Sequence, residues 1–298
     1  MPEPDLADLD AFAAVARARS FRRAASLRGV SASGLSEAVR RLEARLGLGL
    51  LVRTTRSVTP TEAGARLLAR LSPALGEVRA ALDEIEAGRG VSGTLRLNVP
   101  GAVARLVLPG LLPRFMAAHP ALSVEIAVEN GFLDVFAAGF DAGIRYDERL
   151  ERDMIAVPIG PREQRYATAA APGFLAVHGT PAHPRDLLRL PCLRHRFESG
   201  VVAAWEFEKA GETLRLSPDG PLVTQSIEVR TAAAVAGLGL IQAFEGFMAA
   251  ELADGRLVEV LAAWAPRFAG PFLYYPSRRH MAPALRAFVD FVKAEGAA

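Results

Sequence analysis

The sequence predicts an α/β chain whose amino-terminal unit is rich in helix, and three observations carry that expectation. Ser20 to Gly64 reads as short helices around a tight turn followed by a basic wing. The charge of residues 11–60 is opposite in sign to that of the remainder. From Leu95 onward, strand-like and helix-like segments alternate.

The 298 residues suit two or three structural units, each long enough to bury a core. With 51% hydrophobic and 23% charged residues, disorder of the chain as a whole is excluded. No apolar run approaches the roughly 18 to 20 residues of a membrane span. The opening MPEPDLADLD is acidic where a signal peptide is basic and then apolar, so a cytoplasmic location without membrane contact is expected. The single Cys192 allows neither an intrachain disulfide nor a cysteine cluster for zinc, and reads as a small hydrophobe beside a strand. Among 35 basic residues only Lys209 and Lys293 are lysines; the others are arginines, the better fork for phosphate and carboxylate. Residues 11–60 hold ten arginines against Glu37 and Glu43, a net +8, whereas the chain as a whole is +2, which leaves −6 elsewhere. A basic end on an acidic body points to a polyanion partner for that end, the alternative being a solvated charged face.

The elements can be justified in order. Leu6, Leu9, Phe12, Ala13 and Ala16 make one apolar stripe, hence a first helix. Ser20 is positioned to cap a second helix that buries Phe21, Ala24 and Ala25, small residues that allow a close crossing. Gly29 supplies the turn, Val30 is expected to plug the angle between helices, and Ser31 caps a third helix burying Leu35, Ala38, Val39, Leu42 and Leu46. Ser33, Gly34, Ser36, Glu37, Arg40 and Arg41 are left outward near its start, a small polar surface suited to base edges in a major groove. An ordinary helical hairpin is the alternative. Arg53, Thr54, Thr55 and Arg56 then place two guanidinium forks and two hydroxyls in a wing that would hold phosphates. The candidate DNA-contacting set is therefore Ser31, Ser33, Gly34, Ser36, Glu37, Arg40, Arg53, Thr54, Thr55 and Arg56.

These residues resemble the winged helix-turn-helix of the LysR-type transcriptional regulators: SFRRAA at Ser20 to Ala25, GVS at Gly29 to Ser31, RRLE at Arg40 to Glu43, RTTR at Arg53 to Arg56 and TEAG at Thr61 to Gly64. The similarity continues at FDAGIR (Phe140 to Arg145), ERDMIAVPIGP (Glu151 to Pro161) and LYYPSRR (Leu273 to Arg279), so it spans nearly the whole chain. The chain departs from the family pattern at Ala32, often Gln, at Glu37, often basic, and at Arg28, usually Leu.

A long helix follows the wing. Thr61 caps it, Glu62 suits its positive end, and Leu71, Leu75, Val78, Leu82 and Ile85 recur in four and three steps, a coiled-coil seam. The stripe either joins two chains, as the resemblance also implies, or packs on its own body. Pro73 is expected to kink the helix near Ala69, and Gly88 to Gly93 to form a hinge.

The body is expected to hold a parallel sheet with helices on its faces. A strand at Leu95 to Val99 is followed by a helix over Leu106 to Ala118, a strand at Val124 to Val128, a short helix near Leu133 to Ala138 and a strand at Ala142 to Arg145. Gly237-Leu238-Gly239 reads as the join of a helix to a buried strand over Leu238 to Ala243. The resemblance implies a two-lobed, periplasmic-binding-protein-like effector domain whose chain crosses between lobes near Pro161 and Pro266. The expected division is 1–60 for the winged helix-turn-helix, 61–92 for the linker and 93–298 for the effector domain, with lobe 1 at about 93–161 and 267–298 and lobe 2 at about 162–266.

Ligands of open sheets sit beyond the carboxyl ends of strands. That places the effector candidates at Pro100, Gly101 and Ala102, at Arg145 and Tyr146, at Arg196 and Phe197, and at Gln225 and Ser226. A carboxylate would suit the arginines and the amides near Ala102 and Ser226. The alternatives are a lobe-to-lobe salt bridge for Arg145 and packing under Trp205 for Arg196 and Phe197. The family's common Asn-Asp is replaced by Gln225-Ser226, and Pro100-Gly101-Ala102 lacks the hydroxyl that other members offer.

The five histidines are scattered, without metal-ligand spacing, and no nucleophile elbow or complete dinucleotide fingerprint is present, so no catalytic apparatus, cofactor or metal is expected. The resemblance implies a homodimer, assembling as a dimer of dimers, that binds double-stranded promoter DNA, responds to a small effector and governs RNA polymerase access. The alternative is a solute-binding or enzymatic α/β protein using its basic helical end for protein contacts.

Overall fold

The computed structural model describes residues 5–53, 58–86, 91–130, 135, 138–146, 154–276 and 281–296, with side chains at all of these except 73, 77 and 79–86. Three helices come first: α1 (Leu6–Ala18), α2 (Phe21–Arg28) and α3 (Ala32–Leu46). Each begins on an oxygen that accepts a hydrogen bond from a first-turn amide, namely Asp5 from Ala7, Ser20 from Arg23 and Ser31 from Gly34. Gly29 ends α2 at φ +64°, the left-handed conformation that the tight turn needs. The three helices bury Phe12, Val15, Val39 and Leu42 completely, and each such side chain contributes about 1.5–3 kcal/mol. Val30 does not plug the interhelical angle, since it is 51% exposed; Ala24 and Ala25 are buried at that crossing instead. Leu46 likewise lies at the surface, because Gly47 ends the helix there. Arg28 turns back to the Asp10 carboxylate and carbonyl of α1.

The wing is a short antiparallel pair, β1 (Leu51–Arg53) and β2 (Val58–Pro60). Thr54, Thr55 and Arg56 lie outside the described residues. Helix α4 (Glu62–Glu86) follows, capped by the Thr61 hydroxyl, which accepts from Gly64 N at 3.0 Å. It runs unbroken through Pro73. Leu71 and Leu75 are buried in the amino-terminal core, while Val78 is 45% exposed. The upper part of the expected seam is therefore used within the chain. Leu82 and Ile85 belong to the side chains outside the description.

The body contains two mixed sheets. The first is built from β3 (Gly93–Val99), β4 (Leu122–Val128), β5 (Ala142–Arg145) and β6 (Met154–Pro158), with helices α5 (Gly101–Leu106) and α6 (Leu108–Ala118) between β3 and β4. The helix expected over Leu106 to Ala118 is α6, and the short α5 before it was not expected. Pro109 cannot donate its backbone amide and its ring would meet the carbonyl of Arg105, so the helix restarts at Val107. Most of the short helix expected near Leu133 lies outside the described residues, and Val135 and Ala138 are in turns.

The chain then enters the second sheet through β7 (Glu163–Ala170), followed by α7 (Pro172–His178), β8 (Cys192–His195), the ribbon β9 (Trp205–Lys209) and β10 (Glu212–Leu216), β11 (Leu222–Thr224), α8 (Ile227–Val235), β12 (Leu240–Phe244), α9 (Ala249–Ala253), β13 (Val258–Val260) and β14 (Arg267–Ala269). It returns as β15 (Phe272–Pro276) and ends in α10 (Pro283–Glu295). The strand orders are β4-β3-β5-β15-β6 and β11-β8-β12-β7-β13, with β14 also on β7. Neither sheet is wholly parallel: β7 and β15 arrive directly from the other lobe, with no helical crossover to align them, and both run antiparallel to their neighbours. Gly143 pairs with Tyr274 across β5 and β15, and a Cβ there would lie 2.4 Å from the tyrosine ring, which accounts for the glycine of FDAGIR. Cys192 is fully buried, and burial pushes its thiol up to about 12, as befits a packing residue.

Candidate nucleic-acid interface and interlobe cleft

The exposed start of α3 carries the expected small polar surface. Ser33 and Gly34 are exposed; the Ser33 hydroxyl donates to the Ser31 hydroxyl at 3.2 Å, and Ser31 is occupied as the cap. Glu37 and Arg40 are exposed and form an i,i+3 pair at 3.3 Å. Arg41 is exposed as expected and also reaches Asp8 of α1, a carboxylate 1% exposed, donating Nη2 to its Oδ1 at 2.6 Å. This pair fixes the angle between α1 and α3.

Arg53 joins the wing to α3. Its Nη1 donates to the Ser36 hydroxyl at 3.3 Å, its Nη2 to Glu43 Oε2 at 3.1 Å, and the guanidinium lies 4.9 Å over the Phe21 ring. Glu43 Oε1 also accepts from Leu50 N at 2.8 Å and Leu51 N at 3.1 Å. One carboxylate therefore clamps the strand entering the wing and orients its first arginine. Sequence reasoning missed Glu43 as a functional position although it had quoted RRLE; its signal was that it is one of only two acids set against ten arginines in residues 11–60. Gly64 has an equally local reason: a Cβ there would lie 2.1 Å from the Leu50 carbonyl oxygen, so α4 can cross the wing this closely only with glycine.

In the body, the expected residues divide into several groups. Pro100 begins α5, and Gly101 N donates to Asn130 Oδ1 at 2.9 Å beside Ala102. Ser226 caps α8 through Val229 N and donates its hydroxyl to Glu228 Oε2 at 2.6 Å; Gln225 next to it is exposed. These two helix starts are bridged by an ion pair between Arg105 of α5 and Glu228 of α8. Asn130 donates to Glu198 Oε1 at 3.3 Å, a second bridge between lobes, next to Arg196 and Phe197. Arg196 is exposed and donates to the Gly200 carbonyl at 2.8 Å, and Phe197 is 46% exposed against the edge of His195. Neither packs under Trp205. Arg145 donates to the Ile144 carbonyl at 2.7 Å and meets the fully buried Asn98 side chain.

Tyr146 stacks on Phe244 of the other lobe with centroids 5.4 Å apart, and Phe268 and Tyr166 close the same aromatic cluster. Behind it lie polar groups that the sequence did not single out. Arg230 is only 6% exposed, and burial brings its guanidinium down to about 10. Burial first, and then the charge of Arg230, lowers the pKa of His195, against a neighbouring backbone group of Thr224. Burial also raises the Tyr146 phenol. The signal available was helical period: Ile227, Arg230, Thr231 and Ala234 share the buried face of α8. A surface depression of about 540 Å³ beside Phe174, His178 and Gly237 is lined by none of the expected residues.

No described helix is long and apolar enough to cross a membrane, and no described group of His, Cys, Asp and Glu has the arrangement of a metal site. Residues 6–65 match the bacterial regulatory helix-turn-helix protein model of the lysR family, and residues 88–297 match the LysR substrate binding domain. A putative transcriptional regulator of Pseudomonas aeruginosa is 42% identical over 98% of this chain and 96% of its own length. The transcriptional regulator PgrR of Escherichia coli is 34% identical over the full length of both chains. Among solved structures, the full-length virulence activator AphB of Vibrio cholerae superposes with a TM-score of 0.67 at 26% identity, over 97% of this chain and 99% of that one. CrgA of Neisseria meningitidis, a LysR-type regulator, gives 0.59 at 28% identity over 98% and 99%. Carrying both domains of that architecture in one sequence, the chain belongs to the LysR family of bacterial helix-turn-helix transcriptional regulators.

Proposed function

We propose that this regulator acts in the cytoplasm as a homodimer, assembling as a dimer of dimers, that presents paired α3 helices to major grooves of double-stranded promoter DNA. Ser33, Gly34, Ser36, Glu37 and Arg40 face base edges, Ser31 holds the helix start, and Arg53 with Thr54, Thr55 and Arg56 grips phosphates. The units are residues 1–60 for DNA, 61–92 for pairing and 93–298 for the effector, with lobes at about 93–161 with 267–298 and 162–266. Val78 and the turns of α4 beyond it serve as the pairing stripe, since Leu71 and Leu75 are used within the chain. The effector is a small carboxylate bound between the lobes near Pro100, Gly101, Ala102, Arg145, Tyr146, Arg196, Phe197, Gln225 and Ser226. Its closure of the cleft alters the spacing of the paired reading helices, and with it DNA bending and polymerase access.

The observation that carries the DNA reading is the small exposed start of α3 tied to the wing through Arg53, Ser36 and Glu43. Footprinting on the regulator's own upstream DNA, with and without candidate carboxylates, tests the whole. A footprint that lengthens, shortens or gains a bend-sensitive site on effector binding supports it, and an identical footprint with a bound effector contradicts the coupling.

A further inference from the structure

We infer that Arg230, flanked by His195, is the anion-holding group of the cleft, and that its ligand is a small organic monocarboxylate. This rests on the reading of the interlobe cleft as the effector site, and it moves the anchor from the arginines at the rim to one behind the aromatic cluster.

An arginine 94% removed from solvent ordinarily has a carboxylate partner. Arg230 has none within ion-pair distance among the described residues. Its Nη1 donates to the Gln242 carbonyl at 3.2 Å, and its buried Nε meets no acceptor. One other buried polar atom nearby is without a partner, His195 Nδ1, whereas the buried Tyr146 phenol and Gln164 amide interact with each other. Tyr166 is close enough to act on the charge of both Arg230 and Tyr146, and Arg230 acts on His195, so these groups form one neighbourhood. Native proteins leave few buried polar groups unsatisfied, and Arg230 Nε together with His195 Nδ1 marks where a polar ligand completes the set.

Charge selects the ligand class. Burial keeps His195 neutral near pH 7, so the neighbourhood offers one positive charge, which one negative charge balances; a dianion would leave a surplus in a poorly solvated site. A guanidinium fork matches a carboxylate. Tyr146, Phe244, Phe268 and Tyr166 supply flat apolar walls for the remainder of the molecule. Arg196 is exposed, where a charge is screened by water, and Arg145 is engaged by Asn98.

The test is thermal unfolding of the full chain with sodium benzoate, the simplest carboxylate with a flat apolar body. Benzamide serves as its neutral counterpart and sodium chloride matches the ionic strength. Wild type and Arg215→Ala, a surface arginine of β10, should gain about 5 °C at saturating benzoate and nothing from benzamide, and Arg196→Ala should keep part of that rise. Arg230→Met should gain nothing, and Arg230→Lys, which keeps the charge without the fork, less than half the wild-type rise. Should Arg230→Met fail to fold, the lysine variant and the benzoate-benzamide contrast decide alone. An equal rise in wild type and the Arg230 variants, an equal rise from benzamide, or no rise above sodium chloride overturns the inference. A rise lost in Arg196→Ala but kept in Arg230→Met refutes Arg230 while leaving the cleft as the effector site.

Discussion

Glu43 and Arg53 are ten residues apart in sequence and 3.1 Å apart in space, and the glutamate that holds the arginine also accepts both amides leading into the wing. The geometry of α3 and β1 is thus set by one side chain. Glu43→Ala strands two backbone donors and an arginine, and should cost about 1–3 kcal/mol, measured by urea unfolding. Glu43→Gln, which keeps one acceptor oxygen, should cost less.

Arg53 has a different signature in binding. Arg53→Ala should weaken specific and random DNA alike, with the salt slope falling by about one unit, read by fluorescence anisotropy across salt concentrations. A change confined to sequence preference would mean that Arg53 reads bases instead of holding a phosphate.

Two glycines of α4 make an internal control. Gly64→Ala forces a Cβ against the Leu50 carbonyl, a backbone atom that cannot swing aside, and should destabilise the chain by about 1–3 kcal/mol and weaken DNA binding. Gly76→Ala meets nothing within 4 Å and should stabilise by about 0.5–1 kcal/mol. Thermal unfolding of both variants checks the contrast; equal effects would contradict the close crossing.

His195 should make the fold sensitive to mild acid. Its folded pKa is lowered by burial and by Arg230 of α8, with the Thr224 backbone of β11 opposing, so the unfolded chain takes up a proton more readily. The stabilisation from neutral His195 is full above its ordinary value of 6.5 and is lost as pH falls from there through the folded value. Urea unfolding at pH 7.5 and 5.5 should show a smaller loss for His195→Gln than for wild type. Equal losses would show that the acid sensitivity lies elsewhere.

The amino-terminal unit was legible because its determinants are local. Ser20, Gly29, Ser31 and Thr61 act within a turn of themselves, and the alanines of α2 act by size alone. The body was legible in its alternation but not in its strand directions, since β7 and β15 are oriented by partners contributed from distant parts of the chain. The break at Val107 was not read from the sequence, although Pro109 follows it. Tyr146 and Ser226 were singled out as strand ends; the first stacks on Phe244 and the second caps α8. Arg230 was not, because a buried arginine is recognised only when its missing counter-charge can be seen, and that absence is a property of the folded neighbourhood.

The central claim is that the arginine-flanked α3 and its wing bind duplex DNA in a sequence-selective manner. A gel shift on the DNA upstream of the protein's own coding region, against a scrambled fragment and at several salt concentrations, tests it most directly. The account predicts a shift on the upstream fragment that persists at salt concentrations where the scrambled fragment is released. Equal binding to both fragments, or none to either at low salt, would contradict it.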